Sequence, residues 1–174
     1  MIALLPFLVA AAAQTATVDV DEYSPSPLQT RVDRSFSAIP IASPFSLVRP
    51  RLTEVQIQGC EKNGECEWRD RDGVRYYFWG DPESLGVVVK DVWAGDFKNR
   101  RIPAMEIGLA RRRGAVMAAA RHFAPEATFE CSRLAEPWLG EESCEAFLRP
   151  GWVTIVFDKS GNLTEVRLDG YHFT

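Results

Sequence analysis

A few side chains of this 174-residue chain are of the types that catalyse hydrolysis. Glu141, Glu142 and Glu145 could act as a general acid and a general base, because two carboxyl groups in different environments can divide those roles. The histidines, His122 and His172, are far apart in sequence, and no Gly-x-Ser-x-Gly segment supplies a nucleophile for them. Neighbouring glutamates are more typical of a solvated loop. We therefore predict a protein that is not an enzyme and uses no cofactor, with a small hydrolase as the least favoured alternative.

Four cysteines are the other reactive side chains: Cys60, Cys66, Cys131 and Cys144. An even number of cysteines in an exported chain is typical of disulfides, and the lack of a Cys-x-x-Cys pair argues against a zinc site. We expect two disulfides and no metal. Two connectivities are open. The pairs are either local, Cys60–Cys66 and Cys131–Cys144, or crossed, Cys60–Cys131 and Cys66–Cys144.

An apolar run at the start of the chain predicts export. Residues 2–13 are long enough for the core of a signal peptide and too short to span a bilayer. We predict a signal peptide at residues 1–13, a periplasmic or secreted location, and no membrane-spanning segment. The chain has 20 basic and 24 acidic side chains, and this balance argues against nucleic-acid binding. The expected partner is another protein, in the cell envelope or outside the cell.

The rest of the chain divides by composition. Residues 14–51 are rich in proline and serine, which predicts an extended arm or linker. An Asp-Gly turn at 70–73 predicts a hairpin, and residues 85–93 predict a further strand. Residues 111–123 are the clearest helix, and residues 151–173 predict a second hairpin around 159–162. The expected class is therefore α+β, with antiparallel hairpins and one main helix.

The two halves of this body look alike. In each, two cysteines precede an aromatic strand, a turn containing glycine and another strand. We therefore predict an α+β or mostly β unit at 52–97 and an α+β unit at 98–174, and the likeness favours two tandem helix-plus-meander units. If the units are real, each closes its own disulfide, which favours the local connectivity.

The segment EIGLARRRGAVMAAARHFAP, followed by WVTIVFDKSGNLTEVRLD, resembles a known unit. Ile107-Gly108 before a short helix, and the Phe-Asp-x-x-Gly-x-Leu hairpin at 157–163, are similar to the unit of β-lactamase-inhibitor-like proteins and small outer-membrane-assembly lipoproteins. The inhibitor-like proteins contain two such units, each with an internal disulfide. The resemblance implies a noncatalytic binding module.

The stretch GECEWRDRDGVRYYFWGD, residues 64–81, is aromatic on both faces of one strand. Because side chains alternate along a strand, Tyr76 and Phe78 on the core side place Arg75, Tyr77 and Trp79 on the other side. The same alternation places Val87, Val89, Asp91 and Trp93 together on one face of the next strand. In the last hairpin it places Val153 toward the core and Trp152 on the opposite face.

The predicted binding face therefore carries Tyr77, Trp79, Trp93 and Trp152, with Arg75 and Arg167 among Glu165 and Asp169. Tyr, Trp and Arg are enriched at binding hot spots. The alternative is that the proline-rich arm covers this face.

A second hypothesis concerns Arg111, Arg112 and Arg113 at the start of the helix. Three arginines there oppose the helix dipole, so they could instead contact an anionic polymer or an acidic partner, as in a structural envelope protein. A solvated surface is the alternative explanation.

Overall fold

The computed structural model describes residues 23–56, 65–80, 86–134 and 141–170. The predicted signal peptide and Cys60 lie outside these ranges. Eight strands form one antiparallel sheet in the order β1-β2-β3-β4-β8-β7-β6-β5. The strands are β1 (Leu52–Gln56), β2 (Glu65–Asp70), β3 (Arg75–Trp79), β4 (Gly86–Trp93), β5 (Glu130–Arg133), β6 (Glu142–Phe147), β7 (Trp152–Phe157) and β8 (Leu163–Asp169). The expected antiparallel α+β class is confirmed.

Both predicted hairpins form, and an aspartate closes each turn. Asp70 Oδ1 accepts hydrogen bonds from the backbone N–H groups of Asp72 and Val74, both at 2.9 Å, between β2 and β3. Asp158 Oδ1 plays the same part between β7 and β8. Gly73 and Gly161 supply the positive φ that such turns require.

The prediction of an extended arm or linker at residues 14–51 is wrong for residues 23–51, the part that the structure describes. Residues 27–36 form helix α1 (Pro27–Phe36), and a short helix α2 (Phe45–Val48) follows. Ser26 caps α1 by accepting the N–H of Gln29 at 3.0 Å, and Pro27 occupies the first turn, where its missing N–H is not needed. Proline therefore starts this helix instead of preventing it.

The described part of the supposed arm packs into the core. Val32 and Phe36 of α1 are buried in the same apolar cluster as Tyr76 and Phe78 of β3. Phe45 of α2 lies 5.0 Å from the Phe78 ring, edge to face. Helices α1 and α2 thus cover the face of the sheet that carries Tyr76 and Phe78.

The helix predicted at 111–123 is α3 (Arg113–Phe123). Its buried residues, Val116, Met117 and Ala120, share the core cluster with Val153 and Ile155 of β7. Hence α3 lies on the same side of the sheet as α1. Among the residues that the structure covers, no helix is both long enough and apolar enough to cross a membrane.

Cys131 and Cys144 form a disulfide between directly paired positions of β5 and β6. Cys66 is also disulfide-bonded. The crossed connectivity is excluded, because Cys144 is bonded to Cys131 and not to Cys66. The solvated loop expected around Glu142 and Glu145 is wrong, since both residues lie in strand β6, where Cys144 and Ala146 are buried.

The strands of each predicted unit stay together. Strands β1–β4 form one half of the sheet and β5–β8 the other, and β4 pairs with β8 at the centre. A single apolar cluster runs through both halves. That the halves are repeats of one unit stays a prediction.

Candidate binding face of the sheet

The outer face is the face of the sheet opposite α1, α2 and α3. Strand β3 shows which side chains belong to it: Tyr76 and Phe78 are buried on the helical side, and Arg75, Tyr77 and Trp79 point to the outer face. Trp79 keeps 42% of its surface exposed. The alternation predicted from the sequence is therefore what β3 adopts.

Strand register builds a row of side chains across six strands of this face. It runs through directly paired positions from β2 to β6, and we call it the aromatic row: Glu67, Tyr77, Val89, Asp169, Trp152 and Phe147. Phe147 and Trp152 lie side by side, with ring centroids 4.9 Å apart. The row spans about 24 Å, since neighbouring strands are about 4.8 Å apart.

A second row runs beside the first, and we call it the charged row: Arg69, Arg75, Asp91, Arg167, Thr154, Glu145 and Glu130. Arg75 stacks on the Trp93 ring at 4.3 Å and binds Glu67 at 3.2 Å and Asp96 at 3.0 Å. Arg167 lies 5.9 Å from the Tyr77 ring and pairs with Asp169 at 2.7 Å. Aromatic and charged side chains thus hold each other in place.

All six residues predicted for the binding face lie on the outer face: Arg75, Tyr77, Trp79, Trp93, Trp152 and Arg167. Trp93 is 45% exposed, whereas Tyr77 and Trp152 are half-buried. Sequence reasoning missed Phe147, which is 49% exposed, because β6 was taken for a loop. Cys144, Ala146 and Leu148 are buried and alternate with outward residues, but the sequence does not show this pattern, because outward Phe147 is as apolar as its neighbours.

Val87 is on the other face from the one predicted. A bulge in the β3–β4 register lies between Tyr77 and Phe78, so Val87 pairs with Phe78 and is fully buried. A bulge shifts the alternation by one residue. Beyond it, Val89, Asp91 and Trp93 have the predicted orientation.

Asp91 is a buried carboxyl group in the middle of the charged row. Its residue is only 1% exposed. Burial raises the pKa of Asp91 to about 7 and the charge of Glu165 adds to the rise, whereas Arg75 and the Trp93 indole oppose it. Burial also raises the pKa of Tyr77, and the charges of Asp91 and Glu67 act in the same direction.

The arginines of the second hypothesis do not form one free patch. Arg111 donates to the carbonyl oxygens of Gly108, Ala110, Phe97 and Arg100, at 2.7–3.0 Å. Arg112 binds the Ser160 carbonyl at 3.1 Å, and Arg113 makes an ion pair with Glu142. Their role toward an anionic partner stays a prediction, and the geometry does not favour it.

One cluster of possible metal ligands occurs among the described residues. Ligand atoms of Cys131, Glu142 and Cys144 lie within 4.8 Å of one another. Both sulfurs are joined in the disulfide and offer no thiolate. The cluster therefore provides no basis for a metal site.

Comparison with known proteins finds no matching family model, no similar curated protein and no similar solved structure. The resemblance to β-lactamase-inhibitor-like proteins and outer-membrane-assembly lipoproteins therefore stays a prediction. A function must therefore be inferred from the geometry of the outer face.

Proposed function

We propose that this chain is a noncatalytic protein-binding module that recognises another protein through the outer face of its sheet. The observation that carries the proposal is the exposure of Trp79, Trp93 and Phe147, 42–49% of each, on one face. Half-buried Tyr77 and Trp152 lie between these three side chains, and large apolar side chains left exposed along one surface are typical of interaction sites. Aromatic residues and arginine also provide much of the binding energy at protein interfaces.

The packing of the helices supports this use of the face. The described part of the proline-rich segment, residues 23–50, contributes Phe36, Ile39, Ile41 and Val48 to the core cluster on the opposite side. That segment therefore does not cover the outer face. Since each half of the sheet follows a helical segment, we also propose that the halves are tandem units of an exported, inhibitor-like module.

Rigidity of the face is a further argument. Cross-strand pairs hold Arg75 and Arg167 between carboxylates and aromatic rings, so little side-chain entropy remains to be lost on binding. A preorganised surface on a sheet is suited to a partner that is itself folded.

The test is affinity capture of partners by the immobilised whole protein from an envelope and secreted fraction. The variant Trp79→Ser/Trp93→Ser/Phe147→Ser should retain less than about a tenth of the captured partner, since hot-spot truncations each cost about 1–2 kcal/mol or more. The matched control is Leu47→Ser/Leu109→Ser, which removes apolar side chains that are 71% and 65% exposed but lie off the sheet. The control should capture as much as the wild type. Equal capture by all three folded proteins would reject the proposal.

A further inference from the structure

Carboxylates outnumber arginines on the outer face, and the arginines are already paired. Arg75 binds Glu67 and Asp96, Arg69 lies 3.7 Å from Asp96, and Arg167 binds Asp169. Four acidic residues of the face are left without an arginine partner among the described residues: Asp91, Glu165, Glu145 and Glu130. The outer face therefore carries an excess of negative charge.

Asp91 has the most unusual position among these acids. It pairs in register with Arg75 on one side and Arg167 on the other. Both guanidinium groups nevertheless donate to other carboxylates: Arg75 to Glu67 and Asp96 through its two terminal nitrogens, and Arg167 to Asp169 through Nε and Nη2. Asp91 Oδ1 is buried and accepts no hydrogen bond from the described residues, and Arg75 Nε also lacks a partner there. The carboxyl group also interacts with the Trp93 indole and the Tyr77 hydroxyl, so what it lacks is a cation of its own. A positive charge placed nearby favours the ionised form of such a group.

The surroundings of Asp91 favour a cationic donor. Glu165 is paired in register with Trp93, so a second carboxyl lies directly across the strands from an exposed indole. Aromatic rings attract cations through their π faces, and carboxylates do so through their charge. Guanidinium is planar, so it can stack on an indole while it donates to carboxylate oxygens.

We propose that the partner inserts an arginine side chain beside Trp93, where its guanidinium binds the carboxyl group of Glu165 and is attracted by the charge of the buried Asp91 beneath it. This inference rests on the proposed function and specifies the chemistry of the partner surface, which is basic. The basic side chains of α1 and α3, such as Arg31, Arg34 and Arg121, are on the helical side of the molecule. The excess of acidic side chains on the outer face attracts a basic partner toward the sheet.

The test uses two peptide probes that differ only in charge, acetyl-Ala-Arg-Ala-amide and acetyl-Ala-citrulline-Ala-amide, where citrulline is the neutral isostere of arginine. The indole N–H signal of Trp93 is followed by NMR at low salt and about pH 8, where carboxyl groups are ionised and screening is weak. We expect a saturable shift with the arginine peptide and binding about tenfold weaker with the citrulline peptide, which corresponds to the loss of one charge-assisted contact.

Three single variants of the whole protein locate the subsite. Asp91→Asn and Glu165→Gln should each weaken arginine-peptide binding about fivefold or more, whereas Glu145→Gln, farther along the charged row, should change it less than about twofold. Glu165→Gln keeps the test valid if Asp91→Asn fails to fold. Equal binding of both peptides, an unmoved Trp93 signal, or an equal effect of Glu145→Gln would overturn the inference.

The outcome is separable from that of the proposed function. If the aromatic triple variant loses its captured partner while the arginine peptide does not bind, recognition through the face stands and the arginine subsite is rejected. If capture is unaffected by the triple variant, the proposed function fails whatever the peptides do.

Discussion

The Nζ atom of Lys90 lies 2.6 Å from Oδ1 of Asp33, and this ion pair joins the centre of the sheet to α1. Lys90 is fully buried, and its Nζ also donates to the Asp33 carbonyl at 3.2 Å. The other carboxylate oxygen, Oδ2, accepts the backbone N–H of Ile41 at 3.1 Å. Burial lowers the pKa of Lys90, and the charge of Asp33 opposes that change. The pair therefore ties α1 to the sheet on the side away from the outer face.

Lys90→Met should destabilise the protein by about 3–5 kcal/mol, because it leaves the Asp33 carboxylate buried without its cation. The double variant Lys90→Met/Asp33→Asn should recover a large part of the loss, since no charge remains buried and the asparagine oxygen can still accept the Ile41 N–H. Urea unfolding of the wild type and both variants measures these free energies. A double variant less stable than Lys90→Met would contradict the explanation.

Because side chains alternate along strands, most of the residues on the outer face could be predicted. Once Tyr76 and Phe78 are assigned to the core, the pleat requires Arg75, Tyr77 and Trp79 on the other side, whatever the partner strands are. Register could not be predicted in the same way. The bulge that buries Val87 depends on how β3 and β4 pair, and the segment around Phe147 became a strand only through its neighbours β5 and β7.

Two further features could not be predicted because they depend on distant residues. The density of prolines suggested an arm at 14–51, yet Pro27 stands where a helix tolerates proline and Val32 and Phe36 face the core. Lysine is rarely buried unless it is paired, so Lys90 in a core strand is not expected from its neighbours in sequence. It is buried because its partner Asp33 lies 57 residues earlier in the chain. The sequence pattern around each residue shows neither the packing of α1 on the sheet nor the pairing of Lys90 with Asp33.

Two glycines should respond to alanine in opposite directions. At Gly151 a Cβ atom would lie 2.0 Å from the Asp169 carbonyl oxygen, so Gly151→Ala should cost about 3 kcal/mol or more through backbone displacement.

At Gly114 of α3 nothing lies within 4 Å, so Gly114→Ala should stabilise the protein by about 0.5 kcal/mol through higher helix propensity. Thermal and urea unfolding check both, and a stabilising Gly151→Ala would show that the β7–β8 contact is misplaced.

Arg111 should matter for folding more than for binding. Its guanidinium donates to four carbonyl oxygens in the segments 97–100 and 108–110, so Arg111→Met should destabilise the protein by about 2–3 kcal/mol. Arg121→Met, at an exposed position of α3, is the control and should change stability by less than about 0.5 kcal/mol. If both variants are as stable as the wild type, Arg111 becomes available again for an anionic partner.

The raised pKa of Asp91 predicts how the free energy of unfolding depends on pH. Its pKa rises from 3.8 to about 7 on folding, so the folded chain holds a proton that the unfolded chain releases between those values. Stability contributed by the protonated carboxyl is therefore complete in acid, falls as the pH rises through this window, and is absent above about pH 7. Asp91→Asn removes the titration. It should be nearly neutral at low pH and stabilising at pH 8 by up to about 4 kcal/mol, since each pKa unit corresponds to about 1.4 kcal/mol.

The comparison that decides this prediction is the difference in unfolding free energy between Asp91→Asn and the wild type at pH 5 and at pH 8. Groups far from Asp91 titrate alike in both proteins, so their effects largely cancel in the difference. The difference therefore reports the titration of Asp91, together with that of Glu165, whose charge is coupled to it. NMR titration of the Asp91 carboxyl carbon gives the pKa independently. A difference that is the same at both pH values, or a carboxyl midpoint near 4, would mean that Asp91 is solvated in solution and that the outer face is more open at its centre than the strand register implies.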